Sequence, residues 1–241
     1  MAITITDIEV RDIRFPTSDN LDGSDAMNPD PDYSCGYITL KTDGDLLGHG
    51  LSFRLGRGTE LISGAVDAMK RLVVGQSLDA ITSDMGKFWR HLTGDSQLRW
   101  MGPDKGVMHF AVGAVANAIW DLWAKAEGKP VWRLLADMTP EEIVRCIDFR
   151  YIDDALSPSD AMAILEEMAD SKGERIDNLM ANGFPSYTTS AGWLGYSEEK
   201  LRRLCQEGVA AGWSHYKIKV GRDINDDIRR AKIIREEIGY D

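Results

Sequence analysis

Lys217 and Lys219 stand two residues apart in the apolar run Tyr216-Lys217-Ile218-Lys219-Val220. In an extended strand such residues share a face, so the lysines take one side and Tyr216, Ile218 and Val220 the other. An ammonium group is costly to bury unless it is paired or gives up its proton. Two like charges in one pocket raise each other's cost of ionisation, which is how a lysine comes to act as a general base near neutral pH, here on a carbon-bound proton beside a carboxylate. The competing explanation is a solvated edge strand, where lysine discourages aggregation. The neighbouring segments argue against it, because a strand between two helices in a β/α rhythm is covered on both faces.

Those segments set the rest of the plan. "PSYTTSAGWLGYS" reads as a strand running into a loop, "SEEKLRRLCQEGVAAG" as a helix capped by Ser197 and stopped by Gly212, and "WSHYKIKVG" as a strand. "DINDDIRRAKIIREEIG" reads as a helix with Ile224, Ile228, Ala231, Ile234 and Ile238 on one stripe. Strand, helix, strand, helix with tight connections predicts parallel β/α units, which leave an open sheet edge and call for further strands from more chain or from a partner.

Upstream, "ITITDIEVRDIRF" has a mostly two-residue apolar period with a slip and predicts a strand with a bulge. "TSDNLDGSDAMNPDPDYS" predicts a long polar loop. "CGYITLKT" and "LLGHGLSF" flank Asp-Gly-Asp as a hairpin, so the chain opens as a three-stranded meander. Helical periodicity follows from about Thr59, a plausible N-cap, to Val73. The strongest helix is "VMHFAVGAVANAIWDLWAKAEGKP", with small residues on one face, Gly128 at its end and Pro130 beyond. A charged helical stretch follows, with Ser157-Pro158-Ser159-Asp160 opening one helix.

The chain has 241 residues, 28 basic against 39 acidic, and a net charge of −11. That charge repels polyphosphate and anionic lipid, so neither nucleic acid nor membrane is expected as a partner. No apolar run reads as approaching the roughly 20 residues that span a bilayer, and no secretory signal is legible, which makes the cytoplasm the default expectation. Cys35, Cys146 and Cys205 lack CxxC spacing and read as reduced thiols, and the four histidines lack ligand spacing. Arg54 and Arg57 read as solvated charges. Asp226 and Asp227 open a helix, where the dipole explains acids better than a metal does.

The meander with its two loops, "AIWDLWAKAEGKPVWRLL" followed by β/α units, and the KxK strand together resemble the enolase superfamily, mandelate racemase subgroup. Within it, "RFPTSDNLDGSDAMNPDPDYS", "LTGDSQLRWMGPDKGVMH", "CIDFRYIDDAL", "YTTSAGWLGYS" and "KIKVGRDINDDIRR" resemble the L-fuconate dehydratases, over nearly the whole chain. The resemblance implies an α+β capping domain followed by the start of an α/β (TIM) barrel, incomplete in this chain. The capping domain would take residues 1–137, a helical connection 138–183, and the first β/α units 184–241. It implies Mg²⁺ as the ion that stabilises an enediolate, with no metal ligands in this chain because the family's three carboxylate ligands sit on later strands. Lys219 would be the base, and Lys217 would contact the substrate carboxylate beside it. Gly23, Ser24, Asp25 and Tyr33, on the long loop, would be substrate contacts. The implied reaction is dehydration of an acid sugar, L-fuconate, to its 2-keto-3-deoxy acid, in a protein expected to form a homo-oligomer. The alternatives are another aldonate dehydratase or racemase of the superfamily, and an inactive truncated paralogue that binds full-length subunits.

Overall fold

The computed structural model describes residues 2–102 and 106–240. Pro103, Asp104 and Lys105, part of one of the family-like segments, lie outside the described residues. The chain packs as two units, Met1–Ile13 with Ser34–Met180, and Arg14–Tyr33 with Ala181–Asp241. The polar loop after β1 therefore packs with the C-terminal segment and not with the residues that flank it.

In the first unit, β1 (Ile5–Arg14), β2 (Ser34–Thr42) and β3 (Leu47–Arg54) form a sheet in the order β1-β2-β3. β2 and β3 are antiparallel, with Ser34 opposite Arg54 and Lys41 opposite Leu47. Ile5 and Ile8 are both fully buried although three residues apart, which is the slip seen in the sequence. On β2, Ile38 and Leu40 point inward while Tyr37, Thr39 and Lys41 are less buried, the two-residue period of a sheet with one covered face.

The helices of this unit are α1 (Thr59–Met69), α2 (Leu78–Thr82), α3 (Met85–Thr93), α4 (Val107–Ala126), α5 (Val131–Asp137), α6 (Pro140–Arg145), α7 (Pro158–Glu167) and α8 (Lys172–Asn182). Thr59 is not the N-cap of α1. Gly58 holds that position at φ 94°, and the buried Thr59 hydroxyl donates to the Gly56 carbonyl at 2.7 Å and lies 2.8 Å from Ser34 Oγ. Ser157 does cap α7, in a reciprocal box with Asp160 and with Pro158 in the first turn.

α4 lies across the sheet. Gly48 and Gly50 on β3 face the α4 backbone so closely that a Cβ at either would meet the carbonyl of Ala118 or of Ala114. By length and composition this 20-residue helix could cross a bilayer, contrary to the reading that no such run exists. Its alanines and glycine dilute the apolar signal to the eye. In the fold Val112, Val115, Ala118, Ile119 and Leu122 are buried in the core with Ile5, Ile38 and Leu40, as a central helix of a globular unit would be.

The second unit is built on α9 (Glu198–Ala210) and α10 (Ile224–Ile238). Between them and before them run two extended segments joined by a parallel bridge, Thr188 with Tyr216. Thr188 N donates to His215 O at 2.9 Å, Lys217 N to Thr188 O at 2.9 Å and Lys219 N to Gly192 O at 2.8 Å. This is the expected parallel pairing, although it is shorter than full strands. Ala191, Leu201, Cys205, Ile233 and Ile234 form the core, with Tyr216 and Ile218 packed on it. The expected α10 stripe is corrected at its start: Ile224 is 69% and Ile228 47% exposed, and the inward positions are Asp227, Arg230, Ile233 and Ile234. A polar pair takes the place beneath the extended segments because their carbonyls need donors there.

Candidate functional site

The alternation of the Lys217 segment holds. Tyr216 and Ile218 turn to the helices, whereas Val220, expected on the same face, is 55% exposed at the end of the segment; Lys219 turns to the other side, toward the loop 14–33. Lys219 Nζ lies 4.0 Å from Asp25 Oδ2 and 5.5 Å from the centre of the Trp193 ring. Lys217 takes a different direction, with Nζ donating to the Tyr187 hydroxyl at 3.3 Å and standing 5.2 Å from that ring. Neither amine is enclosed by the described residues. Lys217 is exposed and the Lys219 side chain is 32% exposed, because two extended segments form an open face and closure takes about eight strands.

The loop residues divide by role. Asp25 is anchored from within the loop, its Oδ1 accepting from Met27 N and Asn28 N, both at 2.8 Å. These contacts, the Asn28 amide first, hold its carboxyl below the usual aspartate range, with Lys219 adding its positive charge, so it stands ionised toward the amine. Tyr33 meets Trp193 edge to face at 6.3 Å, and burial followed by the charge of Asp25 pushes its phenol up. Asp25 and Trp193 thus stand beside the Lys219 amine, and Tyr33 packs on Trp193.

Ser24 is placed differently. It is 2% exposed and its hydroxyl donates to the Leu194 carbonyl, while Leu194 N donates back to Ser24 O at 3.1 Å. Gly23, at φ 89°, lies under the Tyr33 ring where any side chain would collide with it. Both residues therefore shape and pin the loop in this structure. A second anchor is Asp22, which accepts from the Tyr196 hydroxyl and from Lys200 Nζ, the latter at 2.9 Å. Burial raises the Asp22 carboxyl, but these two bonds outweigh it and the net direction is down.

Trp193, Tyr187, Tyr196 and Arg230 are not singled out by the sequence. The aromatics all lie in segments already noted for family likeness, and an aromatic placed just after a strand end was the available signal.

The lowered Asp25 carboxyl has a pH consequence. A group depressed in the folded state contributes stability that is fully present above its unfolded value, about 3.9, and is lost as the pH falls through the folded value. The Met27 and Asn28 amide shifts are therefore expected to move together below about pH 4, and Asp25→Ala to loosen the loop by about 1 kcal/mol, as for a lost cap. Amide shifts that stay constant to about pH 2 would contradict this.

Among the described residues no cluster of three histidine, cysteine or acidic side chains could hold a metal ion. Asp226 pairs with Arg229 at 2.7 Å, and Asp227 accepts from Gly221 N at 2.7 Å. The described residues do not fit a Mg²⁺ site, and the chemistry they can supply is that of amine, carboxylate and aromatic walls.

Residues 30–136 match the family described as mandelate racemase / muconate lactonizing enzyme, N-terminal domain. The chain is 52% identical over 240 residues to L-galactonate dehydratase of Hypocrea jecorina, a match that covers 99% of this chain and 53% of that protein. It is 51% identical over 237 residues to human mitochondrial enolase superfamily member 1, across 98% of this chain and 54% of the relative. The crystal structure of that human protein matches with a TM-score of 0.95 at 50% identity, over 99% of this chain and 55% of the other. The chain spans about half the length of the curated relatives it matches. The fold is also that of L-talarate/galactarate dehydratase from Salmonella typhimurium LT2 liganded with Mg and L-lyxarohydroxamate, at 17% identity and TM-score 0.64, over 99% of this chain and 50% of that one.

Proposed function

Because this chain belongs to the mandelate racemase subgroup of the enolase superfamily and matches the N-terminal half of its relatives, we propose that it carries the capping region and the base of an acid-sugar dehydratase. The observation that carries the reading is the meeting of Lys219 with the loop 14–33, at Asp25, within one unit. A base and the residues that choose what reaches it are thereby held in one body.

Lys219 takes the proton from C2 of the sugar acid. The electron pair left behind moves into the carboxylate as an enediolate, the C3–O bond breaks, and the 3-hydroxyl leaves as water after receiving a proton. The enol then ketonises to the 2-keto-3-deoxy acid. Lys217, on the same face, offers a cation to the substrate carboxylate. Asp25 and the Tyr33 phenol, one accepting and one able to donate, suit the hydroxyls of a polyol. Mg²⁺ belongs to the proposal for the complete polypeptide, since solved structures of the same fold were obtained with it; the described residues offer no ligands for it.

The substrate we propose is an aldonate of the L-galacto series. L-Fuconate is 6-deoxy-L-galactonate, so the segments that resemble L-fuconate dehydratases and the likeness to an L-galactonate dehydratase agree at every stereocentre and differ by one hydroxyl at C6.

The test is solvent-deuterium exchange at C2, with keto-acid formation, by the complete polypeptide with L-fuconate, L-galactonate and D-gluconate. Turnover of the first two and not the third is expected. Absence of exchange with all three would reject the reading. Lys217→Met is expected to raise KM and lower kcat by about 10-fold each, since it removes a cation that touches the substrate and neighbours the base. An unchanged KM would remove Lys217 from the substrate site.

A further inference from the structure

Arg230 is the largest fully buried side chain among the described residues, 1% exposed, at the inward face of α10. Its guanidinium is shut off from solvent and grips backbone. One terminal nitrogen donates to the Lys219 carbonyl at 2.8 Å, and the other to the carbonyls of Gly192 at 2.9 Å and Trp193 at 3.0 Å. Gly192 O is also the acceptor of Lys219 N. Asp227, one turn before it and 8% exposed, has Oδ1 3.5 Å from the same guanidinium, and its Oδ2 accepts from Gly221 N at 2.7 Å. Burial pushes the guanidinium down, while Asp226 and then Asp227 oppose it.

This is an unfavourable way to close a small core, and Nε is left with no hydrogen-bond partner among the described residues. A core that only had to hold two helices together would use an aliphatic residue, as Ile233 and Ile234 do beside it. The three carbonyls belong to Lys219 itself, to the residue paired with it, and to Trp193, whose ring lies beside the Lys219 amine. A planar fork reaches all three at once from two nitrogens held in fixed geometry, where a lysine would have to gather them on one rotatable ammonium.

We propose that Arg230, braced by Asp227, is a positioning residue that locks the Lys219 backbone to the Trp193 loop and so fixes where the basic amine stands. Its catalytic consequence rests on the function proposed above; its structural part does not. A displaced base changes the proton-transfer step and leaves ground-state binding nearly intact, because small misplacements of reacting atoms are felt in the transition state.

The variant is Arg230→Lys in the complete polypeptide, with Ile233→Val as a control that weakens the same helix from the same core. In Arg230→Lys, kcat is expected to fall about 10-fold with KM within about twofold, and the isotope effect with C2-deuterated substrate to rise. Two readouts need no substrate. Hydrogen exchange of the Lys219 amide is expected to accelerate at least about 10-fold and trinitrobenzenesulfonate labelling of Lys219 to change, neither occurring in Ile233→Val. Should Arg230→Lys fail to fold, Asp227→Asn is expected to give the same pattern at about threefold. Wild-type amide exchange and labelling at Lys219, or changes equalled by Ile233→Val, would overturn the proposal. If the wild-type enzyme exchanges no C2 proton of any acid sugar, the functional reading fails alone, and the amide and labelling data still decide the role of Arg230.

Discussion

Lys219→Ala in the complete polypeptide is expected to lose C2 proton exchange with solvent deuterium, by about 10²–10⁴-fold, with the fold intact. The fold should survive because the alanine keeps both backbone bonds that hold the position, Lys219 N to Gly192 O at 2.8 Å and Lys219 O from Arg230 at 2.8 Å. What disappears is the amine between Asp25 and Trp193. Asp25 is then left facing an uncharged site, but it remains bonded to the Met27 and Asn28 amides and needs no new partner. Exchange and dehydration should fall together, since both follow the same proton abstraction. Exchange at the wild-type rate in a folded Lys219→Ala protein would remove this lysine as the base. A fall accompanied by lost helicity would show that the position is structural.

Gly50→Ala is expected to unfold or nearly unfold the first unit, a loss of about 3 kcal/mol or more, at the upper end for overpacking a core. The added Cβ would meet the Ala114 carbonyl and stand 2.7 Å from Ala118 N and 3.1 Å from Ala118 Cβ. These atoms belong to the backbone and first carbon of α4, which have no rotamer to change, so the helix itself must move off the sheet. Movement there opens the contacts of α4 with Ile38 and Leu40. Gly113, also on α4, gives the opposite expectation, because a Cβ added there would meet nothing within 4 Å. Gly113→Ala should be neutral or stabilise by about 0.5–1 kcal/mol through helix propensity. Urea midpoints measure both; an unshifted midpoint for Gly50→Ala would mean that α4 and β3 are not packed this tightly.

Much of the local structure is legible in the residues alone. Ser157 followed three residues later by Asp160, and Ser197 before Glu198, mark helix starts because a capping oxygen reaches an amide two or three residues on. The face shared by Lys217 and Lys219 follows from the pleat in the same way. α10 shows where such reading stops. Its isoleucines at 224 and 228 fit a helical stripe, yet the buried positions include Asp227 and Arg230, because the extended segments beside the helix present carbonyls that only a donor can satisfy.

The sequence by itself determined which side of the chain the two amines occupy, that the segments around them pair in parallel, and which family's pattern they follow. These depend on neighbours a few residues away, and periodicity records them. The tertiary structure alone decided that Lys219 meets Asp25 and Trp193 while Lys217 turns to Tyr187, that Ser24 and Gly23 hold the loop in place, and that a buried arginine holds the Lys219 carbonyl. Ser24 and Leu194 are 170 positions apart and Asp22 and Tyr196 are 174. No local regularity encodes such a meeting, because it results from how the whole unit packs.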